Sequence, residues 1–297
     1  QQLATVRLVA NQANALLTER IKALELIAGA LDAKTLASSA RLQTFLDNRF
    51  VLHNQFNRGV MAHRLDGTVV ADTLPERPRI GVNYRDRDYF VGATKEGKAT
   101  VGRPSLGKAL GVPIFGISVP VRDADGRVIG ALTGATDLGI PNFLDQITLA
   151  RYGRTGGYLI VEPKSRRIVA ATDKSLVMEY SPPHGQDPVV DRFLAGTEGS
   201  DVLVNPKGVP VLQSAATIPA SGWYIAATLP TEEAFAPIRQ LEQRLLVITL
   251  LLTLAAGAIT WWLIRWHLSS LVRAAESVRS MSGDRMSFQP FPLVSKD

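Results

Sequence analysis

Residues 245–264 read LLVITLLLTLAAGAITWWLI, twenty residues without a charge between Arg244 and Arg265. At about 1.5 Å rise per residue, such a run matches the ~30 Å hydrocarbon core of a bilayer. Trp261, Trp262 and Trp266 gather at one end, where indole rings favour the headgroup level. A buried core helix of a soluble protein rarely runs this long without a polar face. The run is therefore read as one transmembrane helix in contact with membrane lipid.

The twenty residues before the span hold Arg239 and Arg244, and the twenty after it hold Arg265, Arg273 and Arg279. This positive-inside bias predicts a cytoplasmic C-terminus. Residues 1–240 then lie outside the cytoplasm. The chain opens at Gln1 with no apolar leader and closes on SFQPFPLVSKD. A signal peptide or first span is expected upstream, and a further domain downstream.

Several function classes fall away on composition. With 46% apolar and 20% charged residues the chain is a folded one. It has no cysteine, so disulfide scaffolds, cysteine-based zinc sites and thiol nucleophiles are excluded. The net charge of +6 is dispersed, with five basic and three acidic residues from Arg265 onward and 28 basic against 24 acidic before it. Without a basic run there is little electrostatic footing for nucleic acid. No GxSxG, P-loop, GxGxxG or HExxH is present, and His53, His63, His184 and His267 are scattered. No catalytic residue, metal ligand or cofactor is assigned. Asp123 and Asp125 belong to a turn, and Glu232 and Glu233 to the exposed first turn of a helix capped by Thr231.

Along the chain, Leu3, Val6, Val9, Ala13, Leu16, Leu17, Leu24, Ile27 and Leu31 follow helical spacing. They predict an amphipathic helix of about 40 Å, a dimer face or a strut along a domain. Leu36 to Leu52 continue as a second helical stretch. From residue 58 the pattern turns to strands. Gly59–His63, the Asp66-Gly67 turn and Thr68–Ala71 predict one hairpin, and Ile114–Val121 with Val128–Thr136 predict another. Residues 156–229 read as a diverged second copy, offset by roughly one hundred residues. The fold class is α+β: a helical segment over 1–55, then two antiparallel modules over 56–145 and 146–235. After the span, Leu268, Leu271, Ala275 and Val278 make a short coiled-coil seam expected to end near Gly283. Two heptads are marginal alone, which implies a homodimer.

One stretch combines groups suited to a ligand. Tyr84-Arg85-Asp86-Arg87-Asp88-Tyr89-Phe90 sets three aromatics among alternating charges. An arginine here can fork onto a carboxylate, aromatics beside it exclude water, and Asp137 at a strand end can take an ammonium. The same pattern is equally consistent with surface ion pairs worth ~0–1 kcal/mol each around ordinary core aromatics.

The run RDRDYF followed by VGRPSLGKALGVPIFGISVPVRDADGRVIGALTGATDL resembles the membrane-distal module of double Cache sensor domains, tandem PAS-like folds outside the membrane in bacterial receptors. The likeness is strongest over residues 60–140 and extends in outline over 3–235, where GWYIAATLP fits the last strand. The resemblance implies that the distal module binds a small molecule. Arg87 matches the arginine that holds a ligand carboxylate, Tyr89 and Phe90 match its aromatic pair, and Asp137 matches the acid that holds a ligand amine. Tyr84, Arg103 and Ser118 are further candidates around the same pocket. Val82 stands where an aromatic is usual and Phe90 lacks a hydroxyl. The implied ligand is thus a small carboxylate as readily as an amino acid. Residues 265–297 resemble the start of a HAMP linker, with His267-Leu268-Ser269 where a proline is usual. Sensors with this variant resemble those of diguanylate cyclases, which implies a cyclic-di-GMP output. A histidine kinase, a chemoreceptor, or a ligand-free interaction module are the alternatives.

Overall fold

The computed structural model describes residues 1–49, 54–205 and 207–283, and leaves the side chains of 237–242 and 267–283 outside the description. The chain divides into two units, Gln1–Ala234 and Phe235–Asp297.

The first unit opens with α1 (Gln2–Gly29), whose buried stripe is Val6, Ala10, Ala13, Leu17, Leu24 and Ala28. Those steps of three, four and seven keep one face inward. The predicted seam is right in register but narrower in fact: Leu3, Val9, Leu16 and Ile27 are half-buried at its flanks. Three alanines in the stripe let the helix backbone approach the sheets it covers. The second predicted helical stretch is two helices, α2 (Ala33–Ala37) and α3 (Ser39–Asp47). Ser38 separates them because its hydroxyl accepts from Arg41 N and caps α3. The end of the predicted stretch, including Leu52, lies outside the described residues.

Two antiparallel sheets follow. The first contains β1 (Val60–Arg64), β2 (Val69–Asp72), β3 (Thr100–Val101), β5 (Pro113–Arg122) and β6 (Val128–Asp137) in the order β2-β1-β6-β5-β3, with β4 (Ser105–Leu106) also on β5. The second contains β7 (Gly157–Glu162), β8 (Arg167–Ala171), β9 (Gly199–Val204), β10 (Pro210–Ile218) and β11 (Trp223–Pro230) in the order β8-β7-β11-β10-β9. Each sheet thus runs second, first, last, penultimate, third, as expected of the repeat. The β1–β2 hairpin turns at Gly67, whose φ of 91° suits glycine, and a Cβ there would stand 2.6 Å from Arg85 N. Helix α4 (Asp88–Thr94) crosses the first sheet; α5 (Asp145–Thr148), α6 (Pro188–Leu194) and α7 (Thr231–Ala234) are short.

The inner faces of both sheets and α1 share one core. Val6, Leu17, Phe115, Val119, Ile160, Ala216 and Ile225 belong to it. Phe115 of the first sheet meets Trp223 of the second edge-on at 5.1 Å between centroids, a geometry worth about 0.5–1.5 kcal/mol beyond burial. This shared core is why residues 56–145 and 146–235, expected as two modules, sit in one compact unit. Arg20 is buried in the same helix stripe, donates to Gln55 O and Leu16 O, and stacks 3.6 Å above Phe143. Glu233, expected in an exposed helical turn, is instead largely covered and accepts from Arg154 N and from Thr155.

The second unit is α8 (Ala236–Gly283). Its segment Gln243–Trp266 has a mean hydropathy of 2.1 and none of it is buried in protein, so by length and composition it can cross a membrane. Thr253 and Thr260 donate to the carbonyls of Thr249 and Ala256, which pairs these two hydroxyls within the apolar run. Arg265 lies over the Trp261 ring. Leu268, Leu271, Ala275 and Val278 continue the helix, with side chains outside the description. Residues 284–297 lie outside the described residues altogether.

Candidate ligand-binding site

The outer face of the first sheet is defined by register. Met61 faces Thr133 and His63 faces Ala131 across β1–β6; Ser118 faces Thr133 and Gly116 faces Ala135 across β5–β6. Apart from Met61 and His63, these side chains are small. The space above them is filled from α4 and the loop before it by Tyr84, Tyr89 and Phe90, which form a buried cluster with Met61, Val69, Ala93, Ala131 and Ala135. Small and large residues are matched here: a Cβ on Gly116 would come within 3.0 Å of the Tyr89 ring, and one on Gly102 within 2.5 Å.

Helix α4 is set in place at its start. Asp88 Oδ1 accepts from Tyr89 N, while Oδ2 accepts from Arg103 N at 3.0 Å and Arg103 Nε at 2.9 Å. Arg87 precedes the helix and donates from Nη1 to Ser105 Oγ (2.9 Å) and from Nη2 to Leu106 O (2.8 Å). The alternating charges therefore reach across the loop: Asp86 pairs with Lys108 and Asp88 with Arg103.

Beneath the aromatics lies a set of buried polar groups that the sequence pattern did not single out. His63 is fully buried, 5.6 Å from the Tyr84 ring and 5.4 Å from Phe90. Burial pushes its pKa down to about 4, and the Arg79 charge pushes the same way, so the ring is neutral near pH 7. Its Nδ1 faces Gly67 O at 3.4 Å, which assigns the proton to Nδ1 and leaves the Nε2 lone pair without a partner. Arg79 is 1% exposed and grips Asp72 with Nε and Nη2, while its Nη1 has no partner. The Tyr89 hydroxyl is buried and unpartnered as well, and burial raises its pKa. The Arg79 charge acts on His63, Tyr84 and Tyr89 alike. Buried polar atoms are nearly always paired; here Arg79 Nη1, His63 Nε2 and Tyr89 Oη are left over, and the Arg79 charge is felt by both His63 and Tyr89.

Tyr84, Tyr89 and Phe90 come together above Ser118, which is fully buried and accepts from Thr133 Oγ1 at 2.9 Å. Asp137 lies at the end of the same sheet face, 1% exposed; its Oδ2 is 2.8 Å from Arg58 Nη2 and its Oδ1 accepts from Gly139 N. Its charge is thus already matched inside the protein. Arg87 and Arg103 sit at the rim, Arg87 half-buried and Arg103 exposed. The residues missed are His63, Asp72, Arg79 and Arg58. His63 alternates with Met61 along β1, a readable signal; Arg79 sits in a loop, and nothing local marks it as buried. Among the described residues no group of three or more His, Cys, Asp or Glu is placed to hold a metal ion.

Five antiparallel strands in this order, repeated along one long helix, with an aromatic cluster over the first sheet, define a PAS-like fold. The family model described as Cache domain (dCache_1) matches residues 1–238, and the chain belongs to that family. The fold is similar to the ligand-binding domain of the Pseudomonas aeruginosa PAO1 amino acid chemoreceptor PctB in complex with L-Gln: TM-score 0.61, 21% identity, covering 82% of this chain and 98% of that one. The ligand-binding domain of Mlp24 with asparagine gives 0.59 and 20% over 80% and 94%. The extracellular domain of the putative histidine kinase mmHK1S-Z2 gives 0.60 and 15% over 78% and 96%. No curated protein matches the sequence. The Cache domain is a sensor module and not a catalytic one.

Proposed function

We propose that residues 1–240 are the extracytoplasmic, small-molecule-binding part of a double Cache receptor anchored by α8 in a bacterial inner membrane. The ligand is a small carboxylate or an amino-acid-like molecule on the outer face of the first sheet. The observation that carries this reading is the buried, unpartnered set of Arg79 Nη1, His63 Nε2 and Tyr89 Oη. Arginine N–H groups suit a carboxylate; a neutral imidazole lone pair suits an ammonium or hydroxyl donor. Arg87 and Arg103 serve at the rim, Asp137 at the buried end of the sheet face and Ser118 on the floor. For Asp137 to hold a ligand amine, Arg58 must give way, which would couple binding to the segment between α3 and β1.

The signal passes along α8 into a HAMP linker and a cytoplasmic output, in a homodimer whose face includes α1, where Leu8 and Leu26 are exposed. The output is a diguanylate cyclase on the resemblance of RDRDYF. The solved neighbours, from chemoreceptors and a histidine kinase, favour those outputs as a second reading. The coupling is bounded by the ligand's preference between the two states.

The test is a thermal-shift screen of the full chain in lipid nanodiscs against amino acids, organic acids and polyamines. A ligand at 100 times its Kd adds ~2.7 kcal/mol to the folded state. A shift that disappears in Arg87→Ala supports the sensor reading. No shift across the panel sinks it in favour of a ligand-free interaction module.

A further inference from the structure

The second sheet carries a site of its own. A cavity of about 550 Å³ opens over the outer face of β7–β11, within the range of small-molecule pockets. That face corresponds by strand order to the aromatic-covered face of the first sheet, yet here no aromatic cluster fills it. Its floor is apolar, with Ile168, Ala171, Val190 and Tyr224.

Two observations give the cavity a chemistry. Gln213 lines it and is 4% exposed, and its side-chain amide has no hydrogen-bond partner among the described residues. By register Gln213 faces Thr228, which faces Gly157, so the amide stands in the middle of a row otherwise short of bulk. The wall is acidic. Asp173 is matched by Lys207 at 3.4 Å. Asp187 uses only Oδ1 to cap α6, accepting from Val189 N and Val190 N, and its Oδ2 is unpaired. Glu179 is unpaired as well. Burial acts first on the Tyr224 phenol at the floor, and of the charges that reach it Arg166 acts more strongly than Asp187; the acidic groups lie on the wall of the cavity and not at its floor. We infer that this membrane-proximal cavity is a second binding site, selective for a small amine with an apolar or aromatic body. The ammonium lies against Asp187 and Glu179, the body lies on the apolar floor, and Gln213 accepts or donates one further hydrogen bond.

The probe is phenethylamine, titrated calorimetrically into the full chain in neutral-lipid nanodiscs against empty nanodiscs, with phenylacetate as the anionic counterpart. One saturable site for phenethylamine is expected at this cavity and none for phenylacetate there, so any phenylacetate bound by the distal module is lost in Arg87→Ala. Asp187→Asn keeps the helix cap and should raise Kd at least tenfold with an unchanged melting temperature. Gln213→Leu should weaken binding without removing it, and Arg87→Ala should leave it intact. No saturable phenethylamine binding overturns the proposal, as does equal binding of phenylacetate that persists in Arg87→Ala, phenethylamine binding unchanged in both Asp187→Asn and Gln213→Leu, or phenethylamine binding lost in Arg87→Ala.

Discussion

Arg58 Nη2 lies 2.8 Å from Asp137 Oδ2, and Arg58 Nε donates to the same oxygen at 2.9 Å. A carboxylate 1% exposed at the end of β6 is therefore neutralised from the segment that leads into β1. Removing the arginine alone strands that charge. Arg58→Ala should cost about 1–3 kcal/mol in denaturant unfolding. The double variant Arg58→Ala/Asp137→Asn should recover part of the loss; a loss identical in the double variant would mean the pair is not coupled.

Tyr89 presents a different balance. Its ring is packed between Gly102 and Gly116, but its buried hydroxyl has no partner. Tyr89→Phe removes an unsatisfied group while keeping the shape, so stability should hold or rise by up to about 1 kcal/mol. Affinity for the distal ligand should fall. Reduced stability together with unchanged affinity would show that the hydroxyl serves the fold.

His63 makes the fold pH-dependent. Folding lowers its pKa from the ordinary 6.5 to about 4, so between those values the unfolded chain binds a proton that the folded one refuses. Stability therefore falls as pH drops from about 6.5 to about 4, by about 3 kcal/mol in total, and is fully present above 6.5. Unfolding measured at pH 7.5, 5.5 and 4.5 should show the decline, and His63→Asn should flatten it over that window. An equally steep decline in His63→Asn would move the effect to carboxylates.

Gly134 lies at the centre of β6 on the inner face, where a Cβ would stand 2.4 Å from the Phe56 ring. Phe56 is 1% exposed and belongs to the shared core. Gly134→Ala should lower stability by about 1–3 kcal/mol through overpacking, read as a drop in melting temperature. Phe56→Leu in the same chain should relieve some of it.

Local pattern carries much of this molecule. The β-rich alternation of Ile114–Val121, the Asp66-Gly67 turn and the spacing of Val6, Ala13, Leu17 and Leu24 all dictate backbone geometry over a few residues. Each is visible in a short window for that reason. Tyr84, Tyr89 and Phe90 were legible as a group because they fall within one short run, Tyr84 in the loop before α4 and the other two in its first turn. The partners of Arg87 and Arg103 were not, since Ser105, Leu106 and Asp88 are reached across a loop whose path depends on β4 and β5.

By itself the sequence determined the apolar span at 245–264, the α+β alternation, the internal repeat and the aromatic run that covers the first sheet. All of these follow from periodicity and bulk, which act between near neighbours. Only the tertiary structure decided which polar groups are buried and which are satisfied. Asp72 with Arg79 and Arg58 with Asp137 are pairs separated along the chain, and their energetics come from desolvation, a property of the whole packed interior. The same holds for the two sheet faces, one filled by Tyr89 and the other left open above Gln213. Strand order makes them equivalent; the packing of residues far apart in sequence makes them different.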